Sequence, residues 1–266
     1  MTTPKPGLRV AVAQQAMSWT TAENTACIVV SLAVAAEQGA QVCAFSELAL
    51  TGFHRGIREQ ALPDVVAPAL LQVRAACRAN AIACALGTPT FADDGAILNS
   101  YVFIDSSGGI ASTVSKNGLT PAEQTFFKPG AGRPVIGFEG RVCTTVMCRE
   151  IEDLESIAAQ LHSLPVDVIF WPSLVGHPPG TIAEPERAAQ DLGYVERTAE
   201  LARRLNAFVV QSNWPHALNT AESTYQGESK AYAPDGEILL TLPRDEAGVG
   251  VFTLGERDYA WTPFAA

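Results

Sequence analysis

Basic residues are in short supply in this chain, where 18 Lys and Arg stand against 28 Asp and Glu for a formal charge of −10. At a pI near 4.9 such a surface repels phosphate backbones and anionic lipid, which excludes a general nucleic-acid or membrane-binding role. Charge of either sign is sparse at 17%, while hydrophobic residues make up 47%, and that balance excludes disorder. There is no C-x-x-C pair among the six cysteines at 27, 43, 77, 84, 143 and 148, and no His–Cys cluster at zinc-finger spacing. A disulfide framework and a structural metal site are therefore not expected. Long hydrophobic runs are missing too: the most apolar segment, Cys27 to Ala36, is about half the roughly 20 residues a membrane-spanning helix needs. Leu8 to Ala13 is interrupted by Arg9 and stopped by Gln14 and Gln15, so no signal peptide is read and a soluble cytoplasmic protein is expected. Repeats, low-complexity tracts and Pro/Ser-rich linkers are also absent, which favours a single domain over residues 1–266. A chain of this length buries roughly three quarters of its unfolded surface unaided, and a small molecule is the expected ligand.

What is present alternates between strand and helix. Leu8 to Gln15 reads as a buried strand, and Thr20-Thr21-Ala22-Glu23 as a capping box opening a helix to about Gln38, ended by Gly39. Gln41 to Glu47 reads as a second strand and Pro68 to Asn80 as a helix. Apolar runs at Ala81 to Thr90, Ile97 to Asp105 and Ala111 to Lys116 read as strands joined by Asp-Gly and Ser-Gly turns. Arg141 to Cys148 is a further strand, and Ile151, Leu154, Ile157 and Leu161 mark a helix. Val166 to Trp171, a helix from Glu184 to Asn206, Ala207 to Asn213 and three short strands complete an α/β pattern with at least one mixed sheet.

Three positions could carry chemistry. Cys148 lies where a buried strand gives way to a helix, so that its thiol sits near backbone N–H groups able to meet a developing charge. A small core cysteine is the plainer alternative. Cys143 is an odd five residues earlier and faces the other side of a continuous strand. Glu47 ends an apolar strand, where partial desolvation raises a carboxyl pKa and suits it to proton exchange; taken alone, a strand-end carboxylate satisfied by a helix N-terminus is the better explanation. Lys116 ends another strand with Glu123 seven residues on, which is either a fixed cation oriented by an acid or an exposed ion pair.

Taken in order, these pieces resemble the nitrilase superfamily of carbon–nitrogen hydrolases, whose signature is a Glu, a Lys and a Cys, each at a strand end. The Glu motif is Phe45-Ser46-Glu47-Leu48-Ala49-Leu50-Thr51-Gly52-Phe53. The Lys motif comprises Lys116, Leu119, Pro121, Glu123 and Phe127-Lys128-Pro129-Gly130, and the Cys motif is Val146-Met147-Cys148. Further likeness lies in Val166 to Ser173, Phe208 to Asn213 and Gly227 to Glu237. After the cysteine the family continues with Tyr-Asp, then an aromatic, Pro and Glu, whereas this chain reads Arg149-Glu150-Ile151-Glu152.

The resemblance implies a four-layer α-β-β-α sandwich and a thiol hydrolase acting on an amide or nitrile without metal or organic cofactor. It implies Cys148 as nucleophile, Glu47 as proton carrier, Lys116 with the Arg149 N–H as oxyanion donors, and Glu123 as the acid that orients Lys116 or the substrate's leaving nitrogen. Lys116 and the helix N-terminus would activate the thiol, making Cys148 the most readily alkylated cysteine. Arg149, Phe53, His54, Trp171, Ser173 and His177 are candidate substrate contacts, with Asn213, Phe126 and Phe127 as further wall residues; solvation, turn formation or packing is the alternative for each. Arg149, Arg55 and His54 hint at an anionic substrate group. A small linear amide releasing ammonia is the leading expectation, beside nitrile or N-carbamoyl hydrolysis, or a non-catalytic member of the fold. Family members pair through helical layers, and the aromatic tail at 258–266 is expected to lie beyond the last strand and to pack across a homodimer interface, with packing against its own subunit as the equally cheap alternative.

Overall fold

Short strands with apolar alternation, separated by amphipathic helices, organise the chain from Arg9 onward. The computed structural model describes residues 7–177, 183–218, 224–225 and 227–264. Strand β1 (Arg9–Gln14) leads to helix α1 (Thr21–Glu37), capped by Thr20, whose side chain accepts the Glu23 N–H and whose hydroxyl meets the Glu23 carboxylate at 2.7 Å. That N-cap stabilises the helix by about 1 kcal/mol. Gly39, at φ +76°, ends it in a conformation that a side chain would resist. Then come β2 (Val42–Ala44), the single turn α2 (Ile57–Gln60), α3 (Pro63–Asn80), and the antiparallel β3 (Ala83–Phe91), β4 (Ile97–Ile104) and β5 (Ile110–Ser115). The second half runs β6 (Ile136–Phe138), β7 (Arg141–Thr145), α4 (Leu154–Leu161), β8 (Val168–Pro172), β9 (Gly176–His177), α5 (Glu184–Leu205) and β10 (Phe208–Ser212). It ends with β11 (Thr224–Tyr225), β12 (Lys230–Tyr232), β13 (Ile238–Thr241), β14 (Gly248–Thr253) and β15 (Tyr259–Pro263).

Two sheets result, ordered β15-β14-β1-β2-β3-β4-β5 and β13-β12-β10-β8-β7-β6, while β9 and β11 pair separately. Each has three parallel strands at its centre, β1-β2-β3 and β7-β8-β10, extended by antiparallel neighbours. Alternation in β1 shows how the layers form. Val10 and Val12 enter the cluster between the sheets with Phe103, Phe138, Phe170 and Val210, whereas Ala11 and Ala13 face α1 and α3. On the other side, Ile169 and Val209 pack against Ile157, Leu161, Leu201 and Ala202 of α4 and α5. Helices, sheet, sheet and helices are thus the four layers of the expected α-β-β-α sandwich.

Several expectations need correcting. The strands expected to end at Glu47 and Cys148 stop at Ala44 and Thr145, so both residues sit in the turns that follow. Helix α3 starts at Pro63, because proline in a first turn forfeits no intrahelical hydrogen bond. Strand β6 was not anticipated. The segment after Cys148 opens as a 3-10 turn, Cys148–Asp153, before α4. The C-terminal segment is itself an edge strand: β15 pairs antiparallel with β14, and Phe264 packs on the core of its own subunit. The expectation that the tail lies beyond the last strand is thereby corrected: its backbone completes a ladder on β14.

Candidate active site

Both sheets present strand ends at one side of the sandwich, and there three turns converge. The Glu47 turn is anchored by Phe45 N–H to the Ala85 carbonyl (2.9 Å) and Leu50 N–H to the Gly87 carbonyl (3.0 Å). It passes so close to β3 that a Cβ on Gly87 would lie 2.3 Å from the Ser46 oxygen and 2.4 Å from the Leu48 nitrogen. Leu48 adopts φ +53°, and the Trp214 indole N–H donates to the Glu47 carbonyl at 2.9 Å. With its backbone held, the fully buried Glu47 carboxylate accepts from Lys116 Nζ (2.7 Å) and Asn99 Nδ2 (2.8 Å) through Oε1. Its Oε2 has no hydrogen-bond partner among the described residues.

Lys116 follows β5 directly. Its N–H donates to the Asn99 carbonyl at 2.8 Å, so one residue of β4 holds the Lys116 backbone and the Glu47 carboxylate in register. Lys116 Nζ also donates to Glu123 Oε1 at 2.5 Å, while Glu123 Oε2 accepts the Thr120 N–H at 2.7 Å. An ammonium has three donors, so two carboxylates leave one for a ligand.

Cys148 takes φ +46°, an unusual conformation for a side chain with a Cβ and one that tightens the turn. Its carbonyl accepts the Trp171 indole N–H at 3.0 Å, and its Sγ approaches the Leu174 carbonyl at 3.6 Å. Inside the following turn, the Glu150 N–H donates to the Met147 carbonyl (2.9 Å); the N–H groups of Cys148 and Arg149 precede that bond and have no helical acceptor.

Glu150 binds the Lys116 and Cys148 turns together. Its buried carboxylate accepts the N–H groups of Asn117 (2.8 Å) and Gly118 (2.9 Å) on Oε1, and that of Met147 (2.7 Å) on Oε2. Arg133 completes it with an ion pair of 2.8 Å that is buried on both sides.

Burial pushes the Glu47 carboxyl above its usual range, reinforced by Glu123 and only partly opposed by Lys116 and Asn99. For Lys116 burial works toward neutrality, but Glu47, Cys148 and Glu123 outweigh it and the ammonium stays protonated well above its ordinary pKa. Burial, then the negative Glu47, raises the Cys148 thiol more than Lys116 lowers it. The thiol therefore lies above its ordinary range, with Lys116 shared between two carboxylates and the 3-10 turn aligning few peptide dipoles. Glu150 lies below the carboxylate range despite burial, through Arg133 and its backbone donors.

A cavity of about 580 Å³ adjoins this centre, sharing Glu123 and Leu174 with it. Phe53, His54, Phe126 and Phe127 line it, as expected, together with Arg55 and Arg58. The other candidates lie elsewhere. Trp171 and Ser173 are buried and hold the framework, Trp171 through the Cys148 carbonyl and Ser173 through Asn213 Oδ1 at 3.1 Å. Asn213 joins Val175 and Gly227. The Arg149 side chain turns to Asp153 (3.4 Å) and Glu152 (4.0 Å) at the surface. The backbone of His177 ends β9, and its side chain lies outside the described residues. Sequence reasoning missed Asn99, Arg133 and Gly87, and named Glu150 only as a departure. Asn99, a lone amide inside an apolar strand, carried a signal; Arg133 carried none.

Among the described residues no group of three or more His, Cys, Asp or Glu is placed to hold a metal ion, and no helix is long and apolar enough to cross a membrane. A family model described as carbon-nitrogen hydrolase matches residues 9–260, and the chain belongs to that family: it is a carbon–nitrogen hydrolase, acting on bonds other than peptide bonds. Its fold is shared with amidases of the nitrilase superfamily. A mutant of the amidase from Nesterenkonia sp. AN1, described as showing Michael addition of acrylamide at the active-site cysteine, superposes with a TM-score of 0.77 at 21% identity, over 94% of each chain. A carbon-nitrogen hydrolase from Helicobacter pylori G27 gives 0.81 at 15% identity, over 93% of this chain and 89% of that one. No curated protein matches the chain.

Proposed function

We propose that the chain hydrolyses a small linear amide to its acid and ammonia through a Cys148 thioester. The observation that carries this reading is the buried Lys116 ammonium bridging Glu47 and Glu123, with Glu47 Oε2 left unpartnered in electrostatic reach of the Cys148 thiol. As the amide carbon meets Sγ, the thiol proton passes to Glu47, the S–C bond forms, and the carbonyl oxygen becomes an oxyanion. The third Lys116 donor and the Arg149 N–H receive it, each such donor stabilising the transition state by about 2.7–4 kcal/mol. Glu47 then delivers its proton to the departing nitrogen, ammonia leaves, and the thioester remains. Water attacks next, giving a proton to Glu47; collapse releases the acid and returns the proton to sulfur. Glu123 orients Lys116 and keeps its charge compensated after Glu47 is protonated.

The reading treats residues 1–266 as one cytoplasmic catalytic domain that works as a homodimer or higher oligomer. Exposed apolar residues of the α4–α5 layer, Leu164 and Leu192, support pairing there, and sedimentation measures it. The test of chemistry is ammonia release from primary amides, nitriles and N-carbamoyl amino acids, with Cys148→Ala beside the wild type. Amide turnover that disappears in the variant supports the proposal. Turnover confined to nitriles or N-carbamoyl compounds replaces the substrate class, and turnover retained by Cys148→Ala refutes the mechanism.

A further inference from the structure

We propose that Asn213 and Trp214, consecutive residues just beyond β10, are positioning residues that set the separation between the Cys148 thiol and the Glu47 carboxyl. The inference rests on the reading of Cys148 as nucleophile and Glu47 as base, and adds what keeps the two in register. They come from different sheets: Glu47 follows β2 of the seven-stranded sheet, and Cys148 follows β7 of the six-stranded one. Glu47 Oε1 is taken by Lys116 and Asn99, and Oε2 has no partner among the described residues, so the carboxylate is not tied to the thiol by a bond of its own. Something else has to fix the distance across which the proton moves.

The two neighbouring side chains grip one partner each. On the base side, the Trp214 indole N–H donates to the Glu47 carbonyl at 2.9 Å. On the thiol side, Asn213 Oδ1 accepts the Ser173 hydroxyl (3.1 Å) and the Val175 N–H (2.9 Å), while Nδ2 donates to the Val175 carbonyl (2.8 Å) and the Gly227 carbonyl (3.0 Å). An amide has two donors and two acceptor lone pairs, and all four are used. Three of those bonds bracket Leu174, whose carbonyl faces the thiol at 3.6 Å. The pair is anchored on the opposite sheet as well. The Asn213 N–H donates to Ser229 Oγ (2.9 Å), which donates to Gln14 Oε1 (2.8 Å) at the end of β1, and the preceding Ser212 hydroxyl donates to the Ala44 carbonyl (3.0 Å) at the end of β2. Gln14, Ser212, Asn213, Trp214 and Ser229 are all buried. Apolar side chains would fill the same volume without desolvating an amide, an indole N–H and two hydroxyls, so packing alone does not account for this set. A satisfied buried network holds one geometry, and displacement of a reacting group by about 1 Å costs up to a hundredfold in rate.

The experiment measures the rate at which chloroacetamide alkylates Cys148, located by peptide mass spectrometry, in wild type, Trp214→Phe, Asn213→Ala, Glu47→Gln and each of the first two combined with Glu47→Gln. Amide kcat and KM and urea unfolding are measured alongside. Phenylalanine keeps most of the ring in the core and removes only the donor, so Trp214→Phe decides by itself should Asn213→Ala unfold. Each single substitution should slow alkylation at neutral pH by about ten- to a hundredfold and lower kcat more than it raises KM. In the Glu47→Gln background, where no base remains to be positioned, each should slow it less than about twofold. A role in packing alone predicts the opposite: losses that multiply in the double variants, with the buried Cys43, Cys77 and Cys84 becoming labelled. That pattern, or alkylation at the wild-type rate in Trp214→Phe, overturns the proposal and leaves the amidase reading intact. If wild type hydrolyses no amide while the alkylation pattern holds, the positioning role stands and the substrate class falls. Alkylation unaffected by Glu47→Gln removes Glu47 as the base and overturns both.

Discussion

Replacing Arg133 with methionine removes the cation from Glu150 while keeping a side chain of comparable reach. The Glu150 carboxylate would remain buried with three backbone N–H donors, from Met147, Asn117 and Gly118, and with no opposing charge at the 2.8 Å position. Breaking one side of a buried pair costs about 3–5 kcal/mol, mostly the penalty of the stranded charge. Loss of the Arg133 Nε–H bond to the Thr145 carbonyl, 3.0 Å long, adds about 1 kcal/mol. At about 2–4 °C per kcal/mol for a chain of this size, Tm should fall by roughly 8–24 °C. The sign with pH follows from the direction of the Glu150 shift. A carboxyl depressed in the folded state contributes stability above its unfolded pKa of about 4.3 and loses it as pH falls through the folded value. The gap between wild type and variant should therefore close on acidification. Activity separates positioning from bulk stability: Arg133→Met/Glu150→Gln, which buries no charge and keeps one acceptor oxygen for the Asn117 and Gly118 N–H groups, should regain part of the stability but not full kcat, because the Met147 N–H loses its acceptor. Urea unfolding at several pH values and steady-state kinetics read both quantities. A loss below about 1 kcal/mol in Arg133→Met, or full kcat in the double variant, would refute this account.

Three further outcomes are expected. Because burial raises Glu47, kcat/KM should climb with pH through an apparent pKa above the ordinary carboxylate value; Cys148 and Lys116, both shifted upward, should leave no alkaline decline below about pH 9, and an acid limb at about 4 or lower counts against Glu47 as the base. Gly87→Ala drives a methyl into the Glu47 turn, and should cost about 1–3 kcal/mol and lower kcat more than it raises KM; a stable, fully active variant would show that the turn is not held by this contact. Iodoacetamide, itself a small amide, should modify Cys148 ahead of the buried Cys43, Cys77, Cys84 and Cys143 and the helix residue Cys27, at a rate that follows Glu47 ionisation; mass spectrometry showing equal labelling of all six would disprove a selective site.

The elements of the sandwich were legible because their signals are local. The Thr20–Glu23 cap, the glycine after α1 and the period of Ala188 to Ala202 in α5 depend on neighbours within a few residues. The order Glu47, Lys116, Cys148 was legible through resemblance, and Phe53, His54, Phe126 and Phe127 do face one cavity. Strand ends were read three residues too long at both Glu47 and Cys148, since apolar turn residues continue the pattern of the strand they follow. The tail at 258–266 was misread for another reason: Tyr259–Pro263 gains its place only from a ladder with β14, which no local signal in the tail reveals.

By itself, then, the sequence determined the layers and the candidate reactive groups, because side-chain alternation and chemical type are properties of the chain alone. Only the tertiary structure decided how those groups are charged and held. Burial raises the Cys148 thiol and the Glu47 carboxyl, while two carboxylates favour the charged form of Lys116. Asn99 and the Glu150–Arg133 pair tie together turns far apart in sequence. Desolvation and multi-partner hydrogen bonding are set by what surrounds a group in space, and that surrounding exists only once both sheets have packed.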